Sequence, residues 1–499
     1  MNPGPMQQAR RMSPRIAFLQ DNGINESLAL TELSAYLRAH GRQTALFLAR
    51  EDRRFADTIA HFDPQMVIIP CDIMGHNWAL QAARTLKKGL PASIPIVFGG
   101  VLPTFYPEIV RQPGVDMAFR GEAEGVVLEL SERLSNGESV EDIRNLVIER
   151  GGRVRANPMR PLLDNLDALP LPDRELYYRY PFIKEFGWKK FSTSRGCVNN
   201  CGYCFNPTFK SMLGEVRARG FLRRKSVGRV IEEIRAVKEK YVLRIVHFSD
   251  DIFSTGTEWL EAFAGSYRTQ IGVPFSCNVY AKFITPRTVR LLKEAGCVTL
   301  SMGVETADEK KRIELLNKSL TNEEVLSAAR EIKKAGIFLI TFNMLGLPGC
   351  DVEEDLKTLD LNRKIRSDHQ RVAVTVPVPY SRMARECVSQ GLLPPDFLER
   401  VLELPDLSQA SRDTLYRLPD RRSVMNLYYL WYLLMRVRLP AALTKVLLRA
   451  PLQSLYRAFM LLALPKEKQA FRLRWTEGVR YFLHVGSPSN KTTNYVTLI

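Results

Sequence analysis

The run FSTSRGCVNNCGYC, residues 191–204, decides the reading. It opens as a short strand over residues 191–194 and continues into a loop loosened by Gly196 and Gly202. Three thiols, Cys197, Cys201 and Cys204, crowd into that loop. Thiolate is a soft ligand, so three of them close together select zinc or an iron-sulfur centre. Zinc normally closes with a fourth Cys or His, and none follows before His247. A disulfide would leave an odd thiol. Three thiolates suit three corners of a four-iron cube, whose fourth iron stays open to a chelating ligand.

Downstream, short apolar runs at residues 245–248, 275–279, 299–304, 337–342 and 372–376 alternate with helical patterns at 227–241, 257–271, 286–295, 322–335 and 352–365. Six strand-helix units without a Gly-x-Gly-x-x-Gly turn predict a full or partial (β/α)6 barrel of TIM type. Upstream, runs at 16–19, 66–69, 94–98 and 115–119 read as buried parallel strands separated by helical patterns at 27–39, 78–88 and 123–134. That pattern predicts a doubly wound, Rossmann-like α/β domain with ligands at the carboxyl ends of its strands. The expected organisation is an α/β domain at 14–150, a Pro- and Leu-rich linker at 151–188, a barrel at 189–392 and a mostly helical region at 393–499.

The 499 residues are 45% hydrophobic and 25% charged, an ordinary globular composition that excludes disordered and fibrous classes. Eight cysteines are too sparse for a secreted disulfide framework. With no leader pattern and no long uncharged apolar run, the expected location is cytoplasmic. The net charge of +17 is uneven: residues 421–466 hold no Asp or Glu. Such a cationic, apolar tail either caps the barrel or lies on the inner face of an anionic membrane. No nucleic-acid-binding module is present.

The spacing C-x3-C-x2-C, with Tyr203 before the last Cys and a preceding strand, resembles the radical S-adenosylmethionine (SAM) superfamily. The resemblance implies a [4Fe-4S] cluster on Cys197, Cys201 and Cys204, with SAM chelating the open iron through its amine and carboxylate. It also implies cofactor contacts from Tyr203, from Asp250 and Asp251 ending the second barrel strand, from Glu305 in Gly303-Val304-Glu305-Thr306, and from Gly346 and Pro348 in Gly346-Leu347-Pro348-Gly349. Cys350 stands where an acid commonly follows that turn, and Tyr280 where many relatives have Arg.

The upstream domain resembles that of cobalamin-binding members. The matching motifs are Gly99-Gly100 with Thr104, then Gly121-Glu122, with Ile73 and Met74 after the second strand facing cobalt. No Asp-x-His-x-x-Gly string is present, so no protein His is expected beneath the metal. The resemblance implies a class B-like methyltransferase that methylates an unactivated carbon of a lipid-like or secondary-metabolite substrate, reduced by flavodoxin or ferredoxin. The alternatives are a cobalamin-dependent radical cyclase or rearrangement enzyme, and a non-catalytic corrinoid or metal carrier. Cys277 and Cys297 are expected to pack in the barrel as small hydrophobes.

Overall fold

The computed structural model describes residues 13–22, 26–73, 75–214, 220–405, 415–459, 465–466 and 469. The chain forms two units. The first is a seven-stranded sheet of β1 (Arg15–Gln20), β2 (Gln43–Leu48), β3 (Met66–Pro70), β4 (Ile96–Gly99), β5 (Met117–Phe119), β6 (Leu146–Arg150) and β7 (Arg153–Ala156), in the order 2-1-3-4-5-6-7. The first five strands run parallel, and β6 and β7 add as an antiparallel edge.

β1, β3 and β4 are buried almost without interruption because helices cover both faces of a parallel sheet. Those helices include Leu28–Ala39, capped by Ser27 accepting from the Leu30 N–H, as well as His76–Gly89 and Glu124–Asn136. The strand order reverses direction between β1 and β3. In open sheets of this kind that crevice is where ligands bind.

The second unit carries β8 (Trp188–Phe191), a small β9 (Ser194–Arg195) and β10 (Arg223–Arg224) pair, then β11 (Ile245–Phe248), β12 (Phe275–Val279), β13 (Cys297–Glu305), β14 (Phe338–Leu345) and β15 (His369–Val374). The six long strands form one parallel sheet, order 15-14-13-12-11-8, curled into a half-barrel. Helices Val227–Lys240, Thr257–Gln270, Pro286–Ala295, Asn322–Lys334 and Val352–Ile365 connect them. Two of these begin with a capping box, Thr321 with Glu324 and Asp351 with Glu354, which satisfies the otherwise unpaired first-turn donors.

The first barrel strand lies three residues earlier than the apolar pattern suggests, because Lys189 and Lys190 are inside it and both are buried. After the barrel, helix Arg421–Arg436 packs Val424, Leu427, Trp431 and Leu434 into one core with Leu345 and Leu347. The Tyr432 ring stacks on His369 at 5.7 Å. Helices Ala441–Arg449 and Gln453–Tyr456 follow, and the Asn426 amide holds the first of them by donating to the Leu448 carbonyl at 2.6 Å.

Candidate active site

The thiol loop leaves β9 at Gly196, whose φ of +89° and closeness to the Phe221 carbonyl leave no room for a side chain. Its far end is gripped at Gly202, whose N–H donates to Leu316 O at 2.7 Å and whose carbonyl accepts from Met383 N at 2.8 Å. A Cβ on Gly202 would sit 2.5 Å from Leu315 O. Lys210 ties the middle of the loop, donating to Asn199 O at 3.0 Å and Asn200 Oδ1 at 2.9 Å.

Cys204 is buried, and Cys197 and Cys201 are partly so. Burial pushes all three thiols up, Cys197 to about 11. Backbone N–H groups of Asn199 and Asn206 already point at the sulfurs of Cys197 and Cys204, each at 3.4 Å. Among the described residues no trio of ligating groups converges tightly enough to hold a single ion. Each thiolate of a cube-binding trio takes a different iron, so the donors need not meet at one point.

Beside the loop stands Glu305, buried and left-handed at φ +64°. Its Oε1 accepts from Lys318 Nζ at 2.8 Å and from the Tyr203 hydroxyl at 3.1 Å. Lys318 also donates to Gly303 O at 2.9 Å and lies 5.6 Å from the Tyr280 ring centroid. Gly303 makes space for the pair: a Cβ there would meet Glu305 Oε1 at 2.2 Å and Lys318 Nζ at 2.5 Å. Arg312, fully buried, fastens the segment behind. It donates to Val304 O, Thr306 O, Leu320 O and Asn322 Oδ1.

Asp250 and Asp251 divide their work. Both Asp250 oxygens accept from Thr193 N, and Oδ1 also accepts from the Thr193 and Ser194 hydroxyls, so this carboxylate braces the strand leading into the thiol loop. Asp251 accepts from Asn206 Nδ2 at 2.9 Å, and burial pushes it up to about 6. Asn278 donates to Asp250 O at 3.1 Å while its own buried Oδ1 has no partner among the described residues. The turn at Gly346, φ +63°, is held by its N–H donating to Asp355 and by the Tyr416 hydroxyl donating to its carbonyl. Pro348 O accepts from Lys311 Nζ at 3.3 Å.

A thiol trio, an adjacent buried carboxylate with one oxygen anchored, and an orphaned buried acceptor form a donor set that fits an iron-sulfur cluster with a chelating sulfonium cofactor. Lys318, Arg312 and Asn278 escape sequence reasoning. Lys318 lies 13 residues beyond Glu305, past the helix Glu309–Glu314, and the fold of that return segment joins them.

In the first unit, Thr104 joins the two glycine motifs. Its hydroxyl donates to Gly100 O at 2.7 Å and accepts from Gly121 N at 3.0 Å, while its carbonyl accepts from Arg120 Nε at 3.2 Å. Gly100, φ +107°, lies against the Cys71 carbonyl at the carboxyl edge of the sheet. The space at Gly99 is taken by the Phe119 ring. Glu122 Oε2 accepts from Leu163 N at 2.8 Å. Ile73 is buried, and Met74 lies outside the described residues.

Comparison with known proteins matches residues 191–361 to the radical SAM superfamily and residues 15–131 to the B12 binding domain. An uncharacterized methyltransferase of Pyrococcus horikoshii is 29% identical over 377 residues, covering 73% of this chain and 79% of the relative. The anaerobic magnesium-protoporphyrin IX monomethyl ester cyclase of Rubrivivax gelatinosus is 25% identical over 375 residues, covering 71% of this chain and 65% of the cyclase. The fold is similar to that of the cobalamin-dependent S-adenosylmethionine radical enzyme OxsB, with a TM-score of 0.65 at 15% identity, covering 96% of this chain and 76% of that one.

Proposed function

Because the chain belongs to the radical SAM superfamily and carries a B12 binding domain ahead of its radical SAM domain, we propose that this cobalamin-dependent radical SAM enzyme is a C-methyltransferase acting on a small molecule. When bound, the cluster and SAM supply a radical that removes a substrate hydrogen, and methylcobalamin supplies the methyl group. The chain's own residues orient and enclose. Cys197, Cys201 and Cys204 would hold three irons, Glu305 would present its second carboxylate oxygen to the SAM ribose, and Asn278 would offer its unpartnered oxygen to a donor on the cofactor. Tyr203, Asp250 and Asp251 keep that arrangement in place, and Gly346 and Pro348 would border the adenine. At the carboxyl edge of the first sheet, Gly99, Gly100, Thr104, Gly121 and Glu122 would border the corrinoid, and Ile73 and Met74, which follow β3 in the sequence, would face it.

The observation that carries the reading is the thiol loop next to the buried Tyr203–Glu305–Lys318 network. Methyl transfer draws its support from the methyltransferase relative, and a cyclase outcome from the cyclase relative. Anaerobically reconstituted protein should hold iron and sulfide, form 5′-deoxyadenosine on reduction, and add one CH2 to its substrate. Loss of none of the iron after all three thiols become Ala defeats the cluster assignment. A product of unchanged or dehydrogenated mass establishes the cyclase alternative.

The reading includes a cytoplasmic location and reduction by flavodoxin or ferredoxin. It also includes peripheral contact with an anionic inner-membrane surface. Leu443, Val446, Leu452 and Leu455 are exposed in the acid-free tail beside Lys445, Arg449 and Arg457, which supports that contact. Among the described residues no helix is long and apolar enough to cross a membrane.

A further inference from the structure

The Gly346–Gly349 turn leaves the carboxyl end of β14, one strand over from Glu305, which pairs with Asn343. In barrels of this type the active site sits at the carboxyl ends of the strands. Both glycines of the turn are left-handed, at φ +63° and +72°. Such backbone is permissive and does not hold one shape unaided, so the turn is fixed by what it touches.

It touches the segment that follows the barrel. Leu345 and Leu347 share one core with Tyr416, Leu418 and Val424, and Tyr203 of the thiol loop packs against the same core. A Cβ on Gly346 would meet Leu418 at 3.1 Å and Val424 at 3.2 Å, so these side chains lie directly on the turn's backbone. Polar ties add to this. The Gly346 N–H donates to Asp355 Oδ2 at 2.9 Å and Oδ1 at 3.1 Å, and the Tyr416 hydroxyl donates to the Gly346 carbonyl. Asp355 and Tyr416 are both buried. Burial pushes the Tyr416 hydroxyl up, so it keeps the proton it donates. A buried carbonyl deprived of such a donor bears the full cost of its own desolvation.

The other side of the turn borders the barrel interior. Trp188, Ile245 and Ile340 form the apolar floor of that interior, because only the inside of a curled sheet brings β8 and β14 side chains together. Leu345 and Val374, partners across β14 and β15, face the opposite way, into the core shared with Tyr416. Alternation then turns the next residue, Thr375, inward. Its N–H donates to Leu345 O at 2.8 Å, while its hydroxyl, on a residue 1% exposed, has no partner among the described residues. Buried hydroxyls are normally satisfied, so this corner beside the turn is one that a ligand would complete.

We propose that Tyr416 and Asp355 are positioning residues for SAM: by gripping the carbonyl and the N–H of Gly346 they set the turn that borders the adenine, which makes the segment after the barrel part of the cofactor site. The proposal rests on the reading above that SAM occupies this end of the barrel. Tyr416 lies outside residues 191–361, the stretch that matches the superfamily. A turn already held in shape raises affinity because binding need not order it.

Calorimetric titration of S-adenosylhomocysteine into the anaerobically reconstituted full chain tests this. Tyr416→Phe should weaken binding about tenfold, the loss expected for one buried acceptor left without its donor. Asp355→Leu should weaken it as much, and Asp355→Asn, which still accepts from the Gly346 N–H, should keep wild-type affinity. Tyr432→Phe separates positioning from general stability. Its hydroxyl donates to the Gln370 carbonyl at 2.7 Å, a like bond from the same segment to a barrel strand away from the turn, and its removal should leave affinity unchanged. In 5′-deoxyadenosine formation the loss in Tyr416→Phe should fall on the KM for SAM rather than on kcat. Wild-type affinity in Tyr416→Phe, or an equal loss in Tyr432→Phe, overturns the proposal. A wild type that binds no S-adenosylhomocysteine overturns it together with the reading beneath it. Binding without any 5′-deoxyadenosine defeats the radical reading alone, and the affinities of the variants still decide the proposal.

Discussion

At the scale of single residues, Glu305 concentrates the demands on the site. A non-glycine residue at φ +64° is held against a cost of about 1–3 kcal/mol, and its charge is buried with one cation as partner. Removing that partner leaves a carboxylate without compensation. Lys318→Met should therefore destabilise the chain by about 3–5 kcal/mol in urea unfolding and weaken S-adenosylhomocysteine binding. Lys318→Met with Glu305→Leu should recover most of the stability and none of the binding.

His247 gives a second, pH-dependent expectation. Its ring titrates near 6.5 when unfolded and near 3 in the native chain. Above pH 6.5 neither state takes up the proton, and the full stability is present. As pH falls from 6.5 towards 3 only the unfolded chain is protonated, so stability drops by at most about 1.4 kcal/mol per pH unit. His247→Gln should flatten that part of the unfolding profile, and an unchanged slope would place the titration elsewhere.

Elements were legible where period and burial agree. The helices at 227–241, 257–271 and 352–365 agree within one residue with Val227–Lys240, Thr257–Gln270 and Val352–Ile365, because their apolar faces repeat at helical spacing, and Ser226 and Asp351 cap the starts of the first and third. β2 escaped notice because Gln43 and Thr44 begin it, and only Ala45 to Leu48 are buried. β8 was displaced because lysines argue against a buried strand. Its pairing with β11 overrides that preference. In the candidate site the thiols were visible as a spacing, whereas the tie between Tyr203, Glu305 and Lys318 depends on three separate elements meeting.

The thiol loop supplies a prediction at this scale. Gly202→Val pushes a side chain into the Leu315 carbonyl, so iron retained per folded chain should fall to a small fraction of wild type. Gly265→Ala, in an open helical position, should keep its iron and gain about 0.5–1 kcal/mol.

For the whole molecule, charge and exposed apolar surface point to the same region. Helix Arg421–Arg436 spends its apolar face on the barrel, whereas Ala441–Arg449 turns Leu443 and Val446 outward together with Lys445 and Arg449. Thr444 and Leu448 of that shorter helix are buried, and Leu447 packs partly covered against the same core. Flotation with anionic vesicles at low salt should carry the wild type upward and leave Val446→Asp with Leu455→Asp at the bottom. Equal flotation of both, or of neither, removes the membrane from the account.

The Arg312 clamp has a consequence in time rather than in affinity. A guanidinium that holds four acceptors at once, and does not shed its proton, lets none of them go singly, so the segment from Val304 to Asn322 opens together or not at all. In heavy water the amides of Thr306 and Lys318 should trade hydrogen for deuterium only on the slow clock of global unfolding. Arg312→Lys should let that segment exchange early while the floor of the barrel keeps its protection.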